Sequence, residues 1–221
     1  MIGNQFRLVG GTAKDLVTVG ELDSSMSGFD GEGTFKTTMR VWTGNGYTIY
    51  GWSGGSGTEY LEDATMDNKW LNEDLELVDD VADAGFGFWI EAGETGTITI
   101  SGEVPSESSI ETPLVAGFNL LANPYPGAVA IPNFGQLDSS FAGFDGEGTF
   151  ATTMRVWTGN GYTIYGWSGT SGSEYLEDST MDNKWLNEDL ELVEETIPFG
   201  TAVWIEAPAS GKITFSAPAA N

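Results

Sequence analysis

The sequence contains neither cysteine nor histidine. Without thiols there are no disulfides and no thiolate chemistry. Without imidazole there is no zinc finger, no histidine-ligated haem and no Ser-His or Cys-His nucleophile. Basic residues are scarce, with eight Lys and Arg against 33 Asp and Glu and a net charge of −25. Nucleic acid and anionic membrane both call for cationic patches, so the charge argues against either as a partner. No run of 18 apolar residues occurs, which leaves no candidate for a bilayer-spanning helix. The opening Met1-Ile2-Gly3-Asn4 lacks a basic start followed by an apolar core and does not read as a signal peptide. Export would then require a leader outside this sequence.

The acidic residues are spread along the chain and not gathered in a tail. Such a surface repels itself at low salt, which points to surroundings where ions screen it, such as seawater, brine or the extracellular space. Intracellular proteins of salt-adapted cells share the bias, so charge alone does not choose the compartment.

What is abundant is glycine, at 31 residues, with 40% hydrophobic and 12% aromatic content. Glycine supplies the positive φ angles of tight hairpins, so this mixture suits many short strands joined by turns. The dominant pattern is an internal duplication. The 59 residues Leu22–Asp80 recur at Leu137–Glu195 with a fixed offset of 115 and only eight differences: Met26/Phe141, Ser27/Ala142, Lys36/Ala151, Gly55/Thr170, Thr58/Ser173, Ala64/Ser179, Asp79/Glu194 and Asp80/Glu195. Two modules of about 100 residues follow, each large enough for its own core: residues 1–102, a linker at 103–113 rich in Ser, Glu and Pro, and residues 114–221.

Within a module, Met39–Trp42 and Tyr47–Trp52 are rich in β-branched and aromatic residues and flank Thr43-Gly44-Asn45-Gly46, a hairpin signal that repeats over Met154–Trp167. Ser53–Asn68 reads as a long polar loop. Leu75-Glu76-Leu77 reads as a strand. So does Phe86–Glu91, with Phe86, Phe88 and Ile90 on one face and Trp89 on the other. Thr97–Ser101 reads as a strand with Ile98 and Ile100 facing the core, matched by Ile213 and Phe215 in the second module. Helical evidence is confined to short turns near Lys69–Asn72 and Thr12–Gly20. The fold class expected is all-β, as two tandem, internally duplicated β-sandwich or partly closed barrel modules. The first module opens with Gly3–Leu8, a weaker version of the strand Ala116–Ala122 that opens the second, and lacks the Asn123-Pro124-Tyr125-Pro126 that follows it.

Gly117-Phe118-Asn119-Leu120-Leu121-Ala122-Asn123-Pro124-Tyr125-Pro126 resembles a segment of repeat β modules in exported bacterial surface proteins. In those modules it precedes a V-W-x-G-x-G-Y hairpin and a late G-x-x-F-W-I segment. The hairpin matches at Val156–Tyr162, and the late segment at Gly85–Ile90 and, with Val203 in place of Phe, at Gly200–Ile205. The resemblance implies export and a surface, adhesive or structural role, and it brings no catalytic residue.

Three constellations are candidate sites. The duplicated aromatics Trp42, Tyr47, Tyr50 and Trp52, with Trp157, Tyr162, Tyr165 and Trp167, could stack on sugar rings, whose apolar faces suit aromatic planes. Equally they could be core or cross-strand pairs, or a subunit interface. Trp70 and Trp185 belong to the same group. Asp30 and Glu32, with Asp145 and Glu147, alternate with glycine as hard oxygen ligands of a calcium loop would, or else they form a solvated turn. Glu62, Asp63, Asp67 and Asn68 form a second acidic group. A glycosidase needs two carboxylates in distinct roles, and duplicated copies of the same acids argue against that.

The function expected is non-enzymatic: a secreted structural subunit that assembles with copies of itself into an extracellular filament, appendage or surface layer. If the first module lacks a complete opening strand, its open sheet edge would take a strand from a neighbour, with Met1–Gly10 as the donated or accepting segment. The alternative is a tandem carbohydrate-binding or adhesin module, and a third reading is an accessory region of a larger surface enzyme. No cofactor is expected beyond calcium.

Overall fold

The computed structural model describes residues 5–10, 26–78, 85–94 and 105–218. It is all-β. The first module contributes β1 (Gln5–Gly10), β2 (Thr38–Trp42), β3 (Tyr47–Trp52), the four-residue helix α1 (Ser56–Glu59), β4 (Trp70–Leu71) and β5 (Gly87–Ala92). These strands form one antiparallel sheet in the order β1-β5-β2-β3-β4. The β2–β3 hairpin closes as the sequence predicts: the Thr43 amide donates to the Gly46 carbonyl at 2.9 Å, and Gly44 takes φ +93°.

The second module continues with β6 (Ser109–Leu114), β7 (Gly117–Ala122), β8 (Val129–Ala130), β9 (Gln136–Leu137), β10 (Thr153–Trp157), β11 (Tyr162–Trp167) and α2 (Ser171–Glu174). It ends with β12 (Trp185–Leu186), β13 (Thr196–Ile197), β14 (Ala202–Ala207) and β15 (Gly211–Ser216). Its main sheet, β12-β11-β10-β14-β7, matches the first strand for strand, and the sheets β6-β15-β9 and β8-β13 accompany it.

The period of two decides the core. In the first sheet Met39, Tyr50, Trp52, Phe88 and Ile90 point to one face and pack with Trp70 and Met26. In the second module Met154, Tyr165, Trp167, Trp185, Val203 and Ile205 meet Leu114, Phe134, Leu137, Ile213 and Phe215 from the facing layer, as a sandwich requires. Full burial of one such side chain stabilises by about 1.5–3 kcal/mol. Trp52 and Trp70 add an edge-on ring contact at 5.3 Å, and Trp167 and Trp185 a tilted one at 5.2 Å. Gly51 and Gly166 leave room for a ring in each copy. A Cβ there would lie 2.0 Å from Phe35 and 1.9 Å from Phe150.

Several expectations need correction. The opening strand of the first module is complete: β1 pairs with β5 over all six residues, Gln5↔Ala92 to Gly10↔Gly87, in the place β7 takes against β14. The open edge that motivated strand donation is therefore filled within the chain. Leu75–Leu77 is not a strand. Asn72 Oδ1 accepts from the Asp74 and Glu76 amides, which bends the chain through a turn with Leu75 at φ +63° and leaves one isolated bridge, Leu71↔Leu77. No helical turn forms at Lys69–Asn72, where Trp70–Leu71 pairs with β3 as β4, and the helical turn lies earlier, in α1. The end of the expected linker is a strand, since Ser109–Leu114 pairs with β15. Phe86 does not join Phe88 and Ile90; it bridges to Leu121 and packs against the core of the second module. Thr12–Gly20 and Thr97–Ser101 lie outside the described residues, whereas Ile213 and Phe215 are buried as expected.

A buried hydroxyl ties the two ends of the polar loop Ser53–Asn68 together. Ser53 Oγ donates to the Met66 carbonyl at 2.6 Å and accepts from the Lys69 amide at 2.8 Å, and Ser168 does the same with Met181 and Lys184.

Candidate functional site

The same alternation that sends Met39 and Tyr50 inward sends Arg40, Trp42, Tyr47, Ile49, Trp89 and Glu91 to the outer face of the first sheet. The second sheet sends out their copies Arg155, Trp157, Tyr162, Ile164, Trp204 and Glu206. Water does not cover these faces completely, because they pack on each other. Trp42 meets Trp204 edge-on at 5.4 Å, and Trp89 meets Trp157 edge-on at 6.0 Å. The offset of 115 maps Trp42 onto Trp157 and Trp89 onto Trp204. Each contact is thus the other with the modules exchanged, the pattern of a two-fold interface built inside one chain. Leu120, Ala122, Ala202 and Trp204 form a small buried cluster there, with Trp42, Trp89 and Phe118 partly buried against it. The Trp42 indole Nε1–H donates to the Phe118 carbonyl at 2.7 Å, and the Ala122 amide donates to the Gly85 carbonyl at 2.8 Å.

Between the faces are two adjoining cavities of about 240 and 260 Å³. Tyr47, Trp89 and Tyr162 line both. The first adds Trp42, Phe118, Arg155 and Trp204, and the second adds Arg40, Glu91 and Trp157. Tyr47 and Tyr162 stand at the rim, 42% and 41% exposed, each held edge-on at 5.0 Å by the tryptophan opposite it in its hairpin, Trp42 or Trp157. Partial burial raises both phenols above the ordinary value of 10.0, helped for Tyr47 by the neighbouring Tyr162. Both hydroxyls therefore stay protonated, able to donate and accept, across the physiological range.

Among the described residues, the charges at the cleft are paired. Arg40 binds Glu91, and Arg155 Nη2 binds Glu206 at 2.5 Å while its guanidinium lies over the Phe118 ring at 4.8 Å. These pairs are part-exposed, so each contributes at most about 1 kcal/mol to stability. Their chief effect is to place fixed donors and acceptors at the edge of an aromatic cleft.

The sequence-predicted aromatics therefore divide. Tyr50, Trp52, Tyr165 and Trp167 are core residues, while Trp42, Tyr47, Trp157 and Tyr162 meet in the cleft. Trp89, Trp204, Phe118 and the two arginines were missing from the predicted set. The signal for Trp89 was present in its strand, where it alternates against Phe88 and Ile90; nothing local marked Phe118.

The candidate calcium residues Asp30, Glu32, Asp145 and Glu147 lie in two equivalent turns. Asp30 Oδ1 accepts from the Glu32 and Thr34 amides at 2.8 and 3.0 Å, and Asp145 repeats this with Glu147 and Thr149. These bonds hold both carboxyls below the usual carboxylate value. Glu32 and Glu147 are exposed. Asp63 accepts from Thr65, and Asp67 from the Thr58 amide at 2.8 Å and its hydroxyl. Among the described residues no group of three or more carboxylates converges. Asp30, Asp63, Asp67 and Asp145 thus cap their own turns.

No family model, curated protein or solved structure matches this chain. The reading of the cleft rests on its own chemistry.

Proposed function

We propose that this chain is a non-catalytic, cell-exterior binding module that holds sugar rings of a neutral polysaccharide in the aromatic cleft between its two sheets. The observation that carries the reading is the pair of adjoining cavities walled by Trp42, Trp89, Trp157 and Trp204 and rimmed by Tyr47 and Tyr162. Taken together the cavities fall within the roughly 300–1,000 Å³ of small-molecule sites. Aromatic walls suit the C–H faces of pyranose rings, and the tyrosine hydroxyls with the Arg40–Glu91 and Arg155–Glu206 pairs can serve the hydroxyls at the ring edge. The net charge of −25 repels acidic glycans and selects neutral ones. Equivalent half-sites from a duplicated module fit repeated units of one polymer. The resemblance of Gly117–Pro126 to exported surface modules supports a location outside the cell.

The test is calorimetric titration of the protein with soluble neutral glucans, xylans, mannans and galactans, beside a Tyr47→Ala/Tyr162→Ala variant. Binding to at least one, lost in the variant with the melting temperature retained, supports the reading. Absence of heat with the whole panel, or binding indifferent to both tyrosines, would sink it.

A second reading, a self-assembling structural subunit of a filament or surface layer, is favoured by a separate observation. Large apolar residues stand exposed at duplicated positions, Ile49 and Ile164, Tyr60 and Tyr175, Leu77 and Leu192. Chelator-insensitive polymers in negative-stain microscopy would favour it; uniform particles of 23.6 kDa would count against it.

A further inference from the structure

We propose that the inter-module contact can be remade between chains, the first-module sheet of one copy packing on the second-module sheet of another through the same tryptophans. This inference stands apart from the glycan reading, because it concerns the faces that wall the cleft and not its occupant.

The outer face of each sheet is complementary to a near-copy of itself. Trp42 uses Trp204 as Trp157 uses Trp89. A second copy presents the same rings in the same register, so the contact itself does not distinguish a partner in the same chain from one in another.

Two features bias the exchange toward a first module meeting a second module. Phe86 packs into the core of the second module and bridges to Leu121, whereas the residue at its place in the copy is Thr201. Trp42 also donates to the Phe118 carbonyl of β7. A first module therefore carries an anchor that a second module lacks, and β7 receives it.

The geometry of the chain decides what such exchange builds. The sheets belong to segments joined between Ala92, the end of β5, and Ser109, the start of β6. When each first module takes the second module of the next copy, the contact runs head to tail and either closes as a swapped dimer or propagates as an open polymer. Within one chain the partner is covalently attached and so present at a high effective concentration, and dilute protein is expected to stay closed. The −25 charge adds repulsion between copies, and salt removes it, since the screening length falls from about 10 Å at 0.1 M to about 3 Å at 1 M. Exchange is thus favoured by high protein concentration and high salt.

Two full-length variants test this. One carries Trp42→Ala/Trp89→Ala and the other Trp157→Ala/Trp204→Ala, so each chain loses its internal contact but keeps one intact face. Mixed at equal amounts in high salt, the intact first module of one and the intact second module of the other should pair. Light scattering should then give twice 23.6 kDa for the mixture and 23.6 kDa for each variant alone. A mixture that stays at 23.6 kDa, with cooperative melting retained by both variants, overturns the proposal. If either variant fails to fold, unmodified protein is labelled in two pools with donor and acceptor dyes, mixed in 1 M salt and warmed below its melting point. Growth of energy transfer that survives dilution supports exchange, and none after prolonged incubation refutes it. Neither readout involves a glycan, so failure here leaves the cleft reading to its own test.

Discussion

Trp204 and Trp89 occupy the same place in the two copies, yet replacing them should not have the same effect. Trp204 is 8% exposed, packed with Leu120, Ala122 and Ala202, and edge-on to Trp42 at 5.4 Å and Phe118 at 6.0 Å. Trp204→Ala removes an almost fully buried indole, which costs about 3–5 kcal/mol. Trp89 is only half-buried, and its ring contact with Trp157 is longer, at 6.0 Å. Trp89→Ala therefore forfeits part of a transfer term plus one aromatic pair, about 1.5–3 kcal/mol in all. At about 2–4 °C per kcal/mol for a chain of this size, the melting temperature should fall by roughly 6–20 °C for Trp204→Ala and by roughly 3–12 °C for Trp89→Ala. Urea titration followed by circular dichroism gives the free energies. It should also reveal whether loss of the shared cluster splits one transition into two. Equal costs for the two variants, or less than about 1 kcal/mol for Trp204→Ala, would refute the argument that burial at the module contact carries the difference.

Gly51→Ala and Gly166→Ala should each destabilise by about 1–3 kcal/mol, because the new methyl falls on the Phe35 or Phe150 ring, while Gly46→Ala, with open space around it, should be near neutral in the same thermal scan. Ser168→Ala strands the Met181 carbonyl and the Lys184 amide and should cost about 1–3 kcal/mol by denaturant titration; a loss within error would mean that water replaces the hydroxyl. Asp30, Asp63, Asp145 and Asp178 all have carboxyls held below the ordinary value of 3.8 by backbone and side-chain hydrogen bonds. Their contribution is present above that value and is lost as pH falls through the lowered ones. Melting temperature should therefore drop in strong acid, after an initial rise as mild acid relieves the −25 self-repulsion, and a flat profile below pH 3.8 would contradict the turn-cap assignment. The raised phenols of Tyr47, Tyr162 and Tyr165 predict the opposite limb: stability present in full below 10.0 and lost as alkali carries pH through the raised values, read by tyrosinate absorbance alongside circular dichroism.

Much of each sheet was legible because its causes are local. Thr43-Gly44-Asn45-Gly46 can close a hairpin whatever surrounds it, and the period of two separates Met39, Tyr50 and Trp52 from Arg40, Tyr47 and Ile49 without knowledge of the fold. The acidic turns were legible as sequence but open in meaning. Asp30 accepts from the Glu32 and Thr34 amides because the backbone path, with Gly31 at φ +78° and Gly33 at φ +98°, turns it onto them.

What the sequence by itself determined is the duplicated all-β module, its hairpins, and which residues share a face. Tertiary structure alone decided what each face meets. Periodicity assigns Trp42 and Trp89 to the outer side of a strand but carries no information about what lies opposite, because that depends on contacts between residues far apart in the sequence, Trp42 with Trp204 and Trp89 with Trp157. For the same reason β1 could complete its sheet despite a weak pattern, residues 109–114 could leave the linker for a strand, and Phe86 could cross into the neighbouring core. The free energy of burying those groups is gained only when distant segments meet, and no local preference records it.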